Sequence, residues 1–237
     1  MNSDKLKTLT DGFFVGTTKT VFIDGTNQTL HNYLNNLSSS IGSRLAGKSM
    51  CVIGDSLSYS PSGWVYILKE KRGLSSVTNH SVAGKKISSN TGFIEQINAS
   101  DGTEDFVVLM GGTNDANVGY TLGTIDDAVN TTFYGALNNC IENLLIKYKG
   151  KPILVCSPPM GKNDTGINDK LESTYIPAME KVCKKWGVRF FDVFHCSGMN
   201  PTIESIQSYL IQDSVHLTSA GYEIIERSIS GILESMV

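Results

Sequence analysis

From residue 48 onwards, short apolar runs alternate with longer segments in which apolar residues recur every three or four positions. The short runs, which predict β-strands, are SMCVIGD, SVTNHSVAG, DFVVLMGG, KPILVCSPP and VRFFDVF. Helical spacing predicts helices over residues 62–73, 124–150, 170–186 and 219–237. Strands that alternate with helices are typical of a parallel sheet covered on both faces. We therefore predict an α/β fold, a three-layer α/β/α sandwich around a five-stranded parallel sheet.

Residues 1–47 differ in composition from the rest of the chain and are rich in Thr, Gly and Asn. The run GFFVGTTKTVFIDGTNQTL contains a short alternating pattern that predicts a strand or hairpin. A short helix follows, because apolar residues recur on one stripe at Leu30, Tyr33, Leu34, Leu37, Ile41 and Leu45. The stripe either packs on the main domain or self-associates in a homo-oligomer. The predicted organisation is an N-terminal extension over 1–47 and one domain over 48–237.

Composition narrows the function classes. Hydrophobic residues make up 40% and charged residues 18% of the chain, which is typical of a globular protein. A net charge of -3 without long runs of one sign disfavours nucleic acid or anionic membrane as a partner. The five cysteines are widely spaced without metal-ligand spacing, so we expect no metal site and a reducing compartment.

No targeting segment is visible at the N-terminus. MNSDKLKTLTDGFF lacks the apolar stretch of a signal peptide, and no run is long enough to span a bilayer. We expect cytoplasmic synthesis. Assembly into a phage particle and release by cell lysis both remain open, because neither route needs a signal peptide.

Polar residues that can carry chemistry follow the ends of the predicted strands. Ser56 follows the first strand, Gly84 ends the second and Asn114 follows the third, while Asp213 and His216 precede the last helix. Ligands bind outside the carboxyl ends of the strands in such sheets. Acyl transfer needs a hydroxyl against a base, donors for an oxyanion and a carboxylate that orients the base. These residue types supply all of these groups.

The same motifs resemble those of the SGNH, or GDSL-type, hydrolase family. The matching segments are GDSL at 54–57, Gly84, GTND at 112–115 and DSVH at 213–216, in the family's order. The resemblance covers about residues 48–237 and implies a flavodoxin-like sheet and no cofactor or metal. It also implies that Ser56 is the nucleophile, His216 the base and Asp213 the group that orients the base. The implied oxyanion donors are the backbone N–H groups of Ser56 and Gly84 and the Asn114 amide.

Each of these residues also has a purely structural interpretation. Ser56 could be a turn or N-cap serine and His216 a capping or core histidine, while Asn114 could form an Asx turn and Gly84 could meet a need for positive φ. Asp55, Asp115 and the pair Asp192 and His195 are better interpreted as structural. Residues that follow the strand ends and could line a substrate pocket are Tyr59, Trp64, Asn117, Tyr120 and Met160.

The resemblance leaves the substrate open among esterases, lipases, thioesterases and carbohydrate O-deacetylases. The absence of a large apolar insertion between the motifs disfavours a long-chain lipase. We expect hydrolysis of short acyl esters, above all O-acetyl groups on a carbohydrate. A thioesterase or lysophospholipase is one alternative. A carbohydrate-binding or particle-assembly module of a phage tail or bacterial surface, with little activity, is another, although the complete set of motif residues argues against it.

Overall fold

The computed structural model describes residues 20–23, 26–29, 42–162 and 164–237. The chain divides into two units, Met1–Arg44 and Leu45–Val237. In the first unit, strands β1 (Thr20–Ile23) and β2 (Thr26–Thr29) form an antiparallel pair. The predicted helix over residues 30–45 falls mostly on residues 30–41, which lie outside the described residues. Its packing, its self-association and the boundary at residue 47 stay predictions.

The second unit is built on a five-stranded parallel sheet. Its strands are β3 (Ser49–Gly54), β4 (Ser76–Asn79), β5 (Phe106–Met110), β6 (Ile153–Cys156) and β7 (Arg189–Phe191). Their spatial order is β4-β3-β5-β6-β7, and every neighbouring pair is parallel. After β3, the chain places β4 on one side of it and then β5, β6 and β7 on the other side. The carboxyl ends of β3 and β5 therefore flank a topological switch point, where such folds bind ligands.

Helices cover both faces of this sheet. They are α1 (Ser56–Tyr59), α2 (Trp64–Arg72), α3 (Phe93–Ala99), α4 (Thr113–Val118), α5 (Phe133–Lys147), α6 (Ile167–Lys170), α7 (Ile176–Trp186), α8 (Val193–Cys196), α9 (Glu204–Leu210) and α10 (Ser219–Glu234). A π-helical turn over Leu171–Tyr175 joins α6 to α7. Together with the sheet, these helices confirm the predicted three-layer α/β/α architecture.

Alternation along the central strands divides the core into two clusters. In β3, Cys51 and Ile53 pack with residues of α3, α5 and α7, whereas Met50 and Val52 pack with residues of α2 and α10. All four side chains are fully buried. Successive residues of a strand point to opposite faces, so a strand buried on both sides needs an unbroken apolar run. This is why the strand sequences are continuously apolar.

One predicted helix begins later than its pattern indicates. The apolar spacing over residues 124–150 includes Ile125, but the helix starts at Phe133. The Asp127 carboxylate accepts hydrogen bonds from the hydroxyls of Thr124 and Thr132, at 2.6 and 2.8 Å, and folds residues 124–132 into a loop. Thr132 then caps α5. Local side-chain hydrogen bonds outweigh helical periodicity here.

Candidate active site

A tight strand-to-helix turn places Ser56 at the carboxyl end of β3. The strand ends at Gly54, and Ser56 is the first residue of α1. A Cβ at Gly54 would lie 2.9 Å from the side chain of Ser58, so only glycine fits this turn. Asp55 is the N-cap and accepts a hydrogen bond from the Leu57 N–H at 3.0 Å. The interpretation of Ser56 as the helix cap is therefore wrong, and its hydroxyl is free for another contact.

Ser56, His216 and Asp213 form one hydrogen-bonded chain. His216 Nε2 lies 3.0 Å from Ser56 Oγ, and His216 Nδ1 lies 2.8 Å from Asp213 Oδ2. The other carboxylate oxygen, Asp213 Oδ1, accepts hydrogen bonds from the N–H groups of Val215 and His216, both at 2.8 Å. The backbone of this loop thus holds one oxygen of the carboxylate, and the other oxygen holds the imidazole. A carboxylate at Nδ1 favours the tautomer that leaves Nε2 free to accept the serine proton.

The Asp213 carboxylate is ionised at neutral pH. Burial works to raise its pKa, but the backbone N–H groups of His216 and Val215, together with the imidazole, outweigh burial and lower this pKa to about 2. A permanent negative charge next to Nδ1 stabilises an imidazolium when one forms. The pair therefore has the electrostatics of a base and its orienting group.

Asn114 connects three of the motif segments. Its Nδ2 donates a hydrogen bond to the carbonyl of Lys85 at 2.9 Å and to Asp55 Oδ2 at 3.3 Å. Gly84, which precedes Lys85, has a φ of 75°, in agreement with the interpretation that this position needs positive φ. Within the described residues, the N–H groups of Ser56 and Gly84 donate no hydrogen bond. The turn after β3, the loop after β4 and helix α4 therefore meet around a group of donors.

Two buried carboxylates support these loops. Asp55 is fully buried, and burial raises its pKa to about 7, with a further increase from the charge of Asp115. Asp115 is also fully buried, accepts hydrogen bonds from the N–H groups of Ile87 and Ser88 at 3.0 and 2.9 Å, and has a pKa raised by burial. Asp55 and Asp115 are thus hydrogen-bond acceptors that hold the turn after β3 and the loop after β4 in place.

A shallow cleft adjoins the hydrogen-bonded chain. Three of its lining residues, Leu57, Thr113 and Val215, directly neighbour Ser56, Asn114 and His216 in the sequence. The remaining lining residues are Pro159, Gly161, Lys162, Ile167, Asn168, Leu171 and Ser214. The empty volume, including the part open to solvent, is about 240 Å³. Half of this lining comes from the segment between β6 and the π-helical turn, which has no polar motif that would have indicated it.

The five predicted pocket residues lie elsewhere. Tyr59 on α1 and Asn117 on α4 are exposed, and Tyr120 is half-buried. Met160 is half-buried and packs against the core cluster of α3, α5 and α7. Trp64 is fully buried, so it is placed as a core residue. None of the five lines the cleft, and their contacts with a substrate stay predictions.

A second Asp–His pair lies at the end of β7. His195 Nδ1 is 2.6 Å from Asp192 Oδ2, while His195 Nε2 faces Glu172 at 3.6 Å. Burial works to lower the pKa of His195, but these two carboxylates raise it above its usual value. Because a carboxylate, not a hydroxyl, faces Nε2, this pair lacks a nucleophile. The arrangement agrees with its structural interpretation.

The described part of the chain offers no group of three His, Cys, Asp or Glu side chains that could hold a metal ion. Among the described helices, none has the length and apolar character needed to cross a membrane.

Comparison with known proteins identifies the family. The model of the GDSL-like lipase/acylhydrolase family matches residues 52–224. No curated protein matches the chain. Similar solved structures include a protein from Lactobacillus plantarum, with 23% identity, a TM-score of 0.75 and coverage of 82% of this chain and 100% of that one. A lipase/acylhydrolase from Enterococcus faecalis is 16% identical, with a TM-score of 0.57 and coverage of 79% of this chain and 96% of that one.

 A carbohydrate acetylesterase family member from Sinorhizobium meliloti is 16% identical, with a TM-score of 0.54 and coverage of 80% of this chain and 98% of that one.

At these identities the solved structures show a shared fold. The family match, in contrast, spans most of the chain and includes Ser56, Gly84, Asn114, Asp213 and His216. This chain therefore belongs to the GDSL-like lipase/acylhydrolase family, a family of ester hydrolases.

Proposed function

We propose that this protein is a serine esterase in which Ser56, His216 and Asp213 form the catalytic triad. The observation that carries the proposal is the continuous path from Ser56 Oγ through the imidazole to the Asp213 carboxylate, with contacts of 3.0 and 2.8 Å. A nucleophile within hydrogen-bond reach of a base, and a base oriented by a third group, are the requirements for covalent acyl transfer.

The reaction proceeds in two steps. Ser56 Oγ attacks the ester carbonyl carbon while His216 Nε2 takes the hydroxyl proton, and the tetrahedral intermediate then expels the alcohol, which receives that proton. Water attacks the acyl-enzyme in the second step as His216 accepts one of its protons. The acid leaves, and the proton returns to Ser56 Oγ. Throughout, the negative charge of Asp213 stabilises the imidazolium.

The proposed oxyanion donors are the N–H groups of Ser56 and Gly84 and the side-chain amide of Asn114. The two backbone groups have no acceptor among the described residues. Of the two contacts of Asn114 Nδ2, the one to the Lys85 carbonyl is the shorter and holds the amide in place. The 3.3 Å contact to Asp55 is the weaker one, so we propose that an oxyanion replaces Asp55 as the acceptor of that N–H.

We propose short acyl esters as substrates, with O-acetyl groups on a carbohydrate as the preferred class. The cleft is shallow and open to solvent, and no large apolar insertion lies between the motifs, which favours a short acyl group over a long chain. The similar fold of the carbohydrate acetylesterase family member from Sinorhizobium meliloti supports the carbohydrate part of the proposal. Acetate release from acetylated glycans, compared with hydrolysis of longer acyl esters, tests this preference.

The nucleophile is tested with Ser56→Ala and a matched control, Ser62→Ala, at an exposed serine in the next loop. We expect Ser56→Ala to lower turnover of a chromogenic acetyl ester by roughly 10³-fold or more, because the attacking oxygen is lost. The control should keep wild-type turnover, and a fluorophosphonate should label it but not Ser56→Ala. If Ser56→Ala is folded by circular dichroism and still turns over the ester at the wild-type rate, the proposed function is wrong.

A further inference from the structure

The Thr113 hydroxyl is buried in the cleft without a partner. Thr113 is the first residue of α4, immediately precedes Asn114 and lines the cleft. Its side chain is 8% exposed, and Oγ1 has no hydrogen-bond partner among the described residues. Buried polar groups in folded proteins nearly always have a partner, so each exception calls for an explanation.

The other buried polar side chain of the cleft, that of Asn168, already has partners for its oxygen and its nitrogen. The Asn168 amide closes on the backbone of Gly161, accepting from its N–H at 3.1 Å and donating to its carbonyl at 2.8 Å. At the rim, the Ser214 hydroxyl donates to Asp164 at 3.2 Å. The aliphatic walls are Leu57, Ile167, Leu171 and Val215. Thr113 Oγ1 is therefore the hydroxyl within this part of the structure that remains available to a ligand.

We propose that Thr113 is a specificity-determining residue whose hydroxyl binds a hydroxyl group of the substrate close to the ester. This inference rests on the proposed function. A threonine hydroxyl both donates and accepts, which suits another hydroxyl. A site built to bind a substrate hydroxyl discriminates strongly against an analogue without it, because its own polar group is then left unpaired. In an acetylated sugar, the hydroxyl neighbouring the acetylated position meets this description.

The positions of the neighbouring residues support this contact. Asn114, a proposed oxyanion donor, follows Thr113 in the same helix, and Leu57 follows the proposed nucleophile. A substrate whose carbonyl lies at Ser56 therefore has its nearest atoms beside the cleft. Because Oγ1 is shielded from solvent, the substrate must displace lining side chains to reach it. Rotamer changes of this kind are common on binding.

The hydroxyl could belong to the alcohol or to the acyl group, so the test uses one pair of esters for each source. Glycerol monoacetate and propyl acetate differ in hydroxyls on the alcohol, and ethyl 3-hydroxybutyrate and ethyl butyrate differ in a hydroxyl on the acyl group. Thr113→Val removes the hydroxyl and keeps the shape. We expect it to lower the kcat/KM ratio of the hydroxylated to the plain ester about tenfold or more in one pair. Thr113→Ser, which retains a hydroxyl, should restore that ratio.

A lower kcat/KM ratio for glycerol monoacetate over propyl acetate assigns the contact to the alcohol. A lower ratio for ethyl 3-hydroxybutyrate over ethyl butyrate assigns it to the acyl group. The inference is overturned if both ratios match those of the wild type, including the case in which all four esters slow down equally. Should Thr113→Val fail to fold, Thr113→Ala removes the same hydroxyl and is judged by the same ratios. If the wild type hydrolyses none of the four esters, the proposed function fails and this inference fails with it. Active wild type with unchanged ratios overturns the inference alone.

Discussion

Replacement of Asp55 by Asn should change how stability depends on pH. Asp55 is fully buried, and burial raises its pKa from 3.8 to about 7. Between these two values the unfolded chain has lost the proton and the folded protein has kept it. The folded state then binds more protons than the unfolded state, so the wild-type free energy of unfolding falls as pH rises. The contribution is complete below pH 3.8 and is lost as the pH passes about 7.

The size of the effect follows from the width of this pH window. From pH 5 to the folded-state pKa of about 7, the window spans two pH units. At about 1.4 kcal/mol per unit, the wild type loses on the order of 3 kcal/mol between pH 5 and pH 8 through Asp55. Asparagine has the same shape and does not titrate. The free energy of unfolding of Asp55→Asn, relative to that of the wild type, should therefore rise by about 3 kcal/mol over this range.

Urea denaturation at pH 5, 6, 7 and 8, followed by circular dichroism, measures this difference. Asp115 also has a raised pKa, and its charge contributes to that of Asp55, so the difference between the two proteins measures the Asp55 carboxyl together with its coupling to Asp115. Asp101→Asn, at an exposed aspartate, controls for the loss of a carboxylate in general. If the difference between Asp55→Asn and the wild type is the same at pH 5 and pH 8, the reasoning from burial to pKa is refuted.

Two further substitutions test the site and the fold. Asp213→Asn should lower kcat on a chromogenic acetyl ester by roughly 10⁴-fold, because the imidazole loses its orienting charge, and an unchanged kcat would contradict the proposed triad. Arg72→Met leaves the Glu226 carboxylate, 1% exposed and bound at 2.9 Å, without its cation, and should cost about 3–5 kcal/mol in urea denaturation. Lys71→Met breaks an exposed ion pair between the same two helices and should cost at most about 1 kcal/mol, so equal losses would contradict the burial argument.

The parallel sheet and the proximity of the motif residues at its carboxyl edge were predictable, because both follow from clear local sequence patterns. All five residues of β5, FVVLM, are buried, and such continuous apolar runs are typical of central parallel strands. Once the strands are known, the topology brings their carboxyl ends to one edge. The residues that follow those ends, Ser56 and Asn114 among them, then lie near one another without any further information from the sequence.

The cleft was not predictable in the same way. Trp64 stands close to the GDSL motif, yet it is buried in the core, and its indole donates to the hydroxyl of Ser58 at 3.2 Å. An aromatic residue near a motif has the same local pattern whether it faces the core or a ligand. Ile167, at the start of α6, and Leu171, at the start of the π-helical turn, line the cleft through packing that depends on the whole fold.

The contact between Ser56 and His216 joins residues 160 positions apart. Contacts this distant in sequence form only after much chain entropy has been lost, whereas helices and the loop around Asp213 can form locally. During refolding from urea, recovered turnover would thus mark completion of the native topology, later than the return of the far-ultraviolet signal. The sequence separation of these two residues therefore makes recovery of turnover a probe of the late steps of folding.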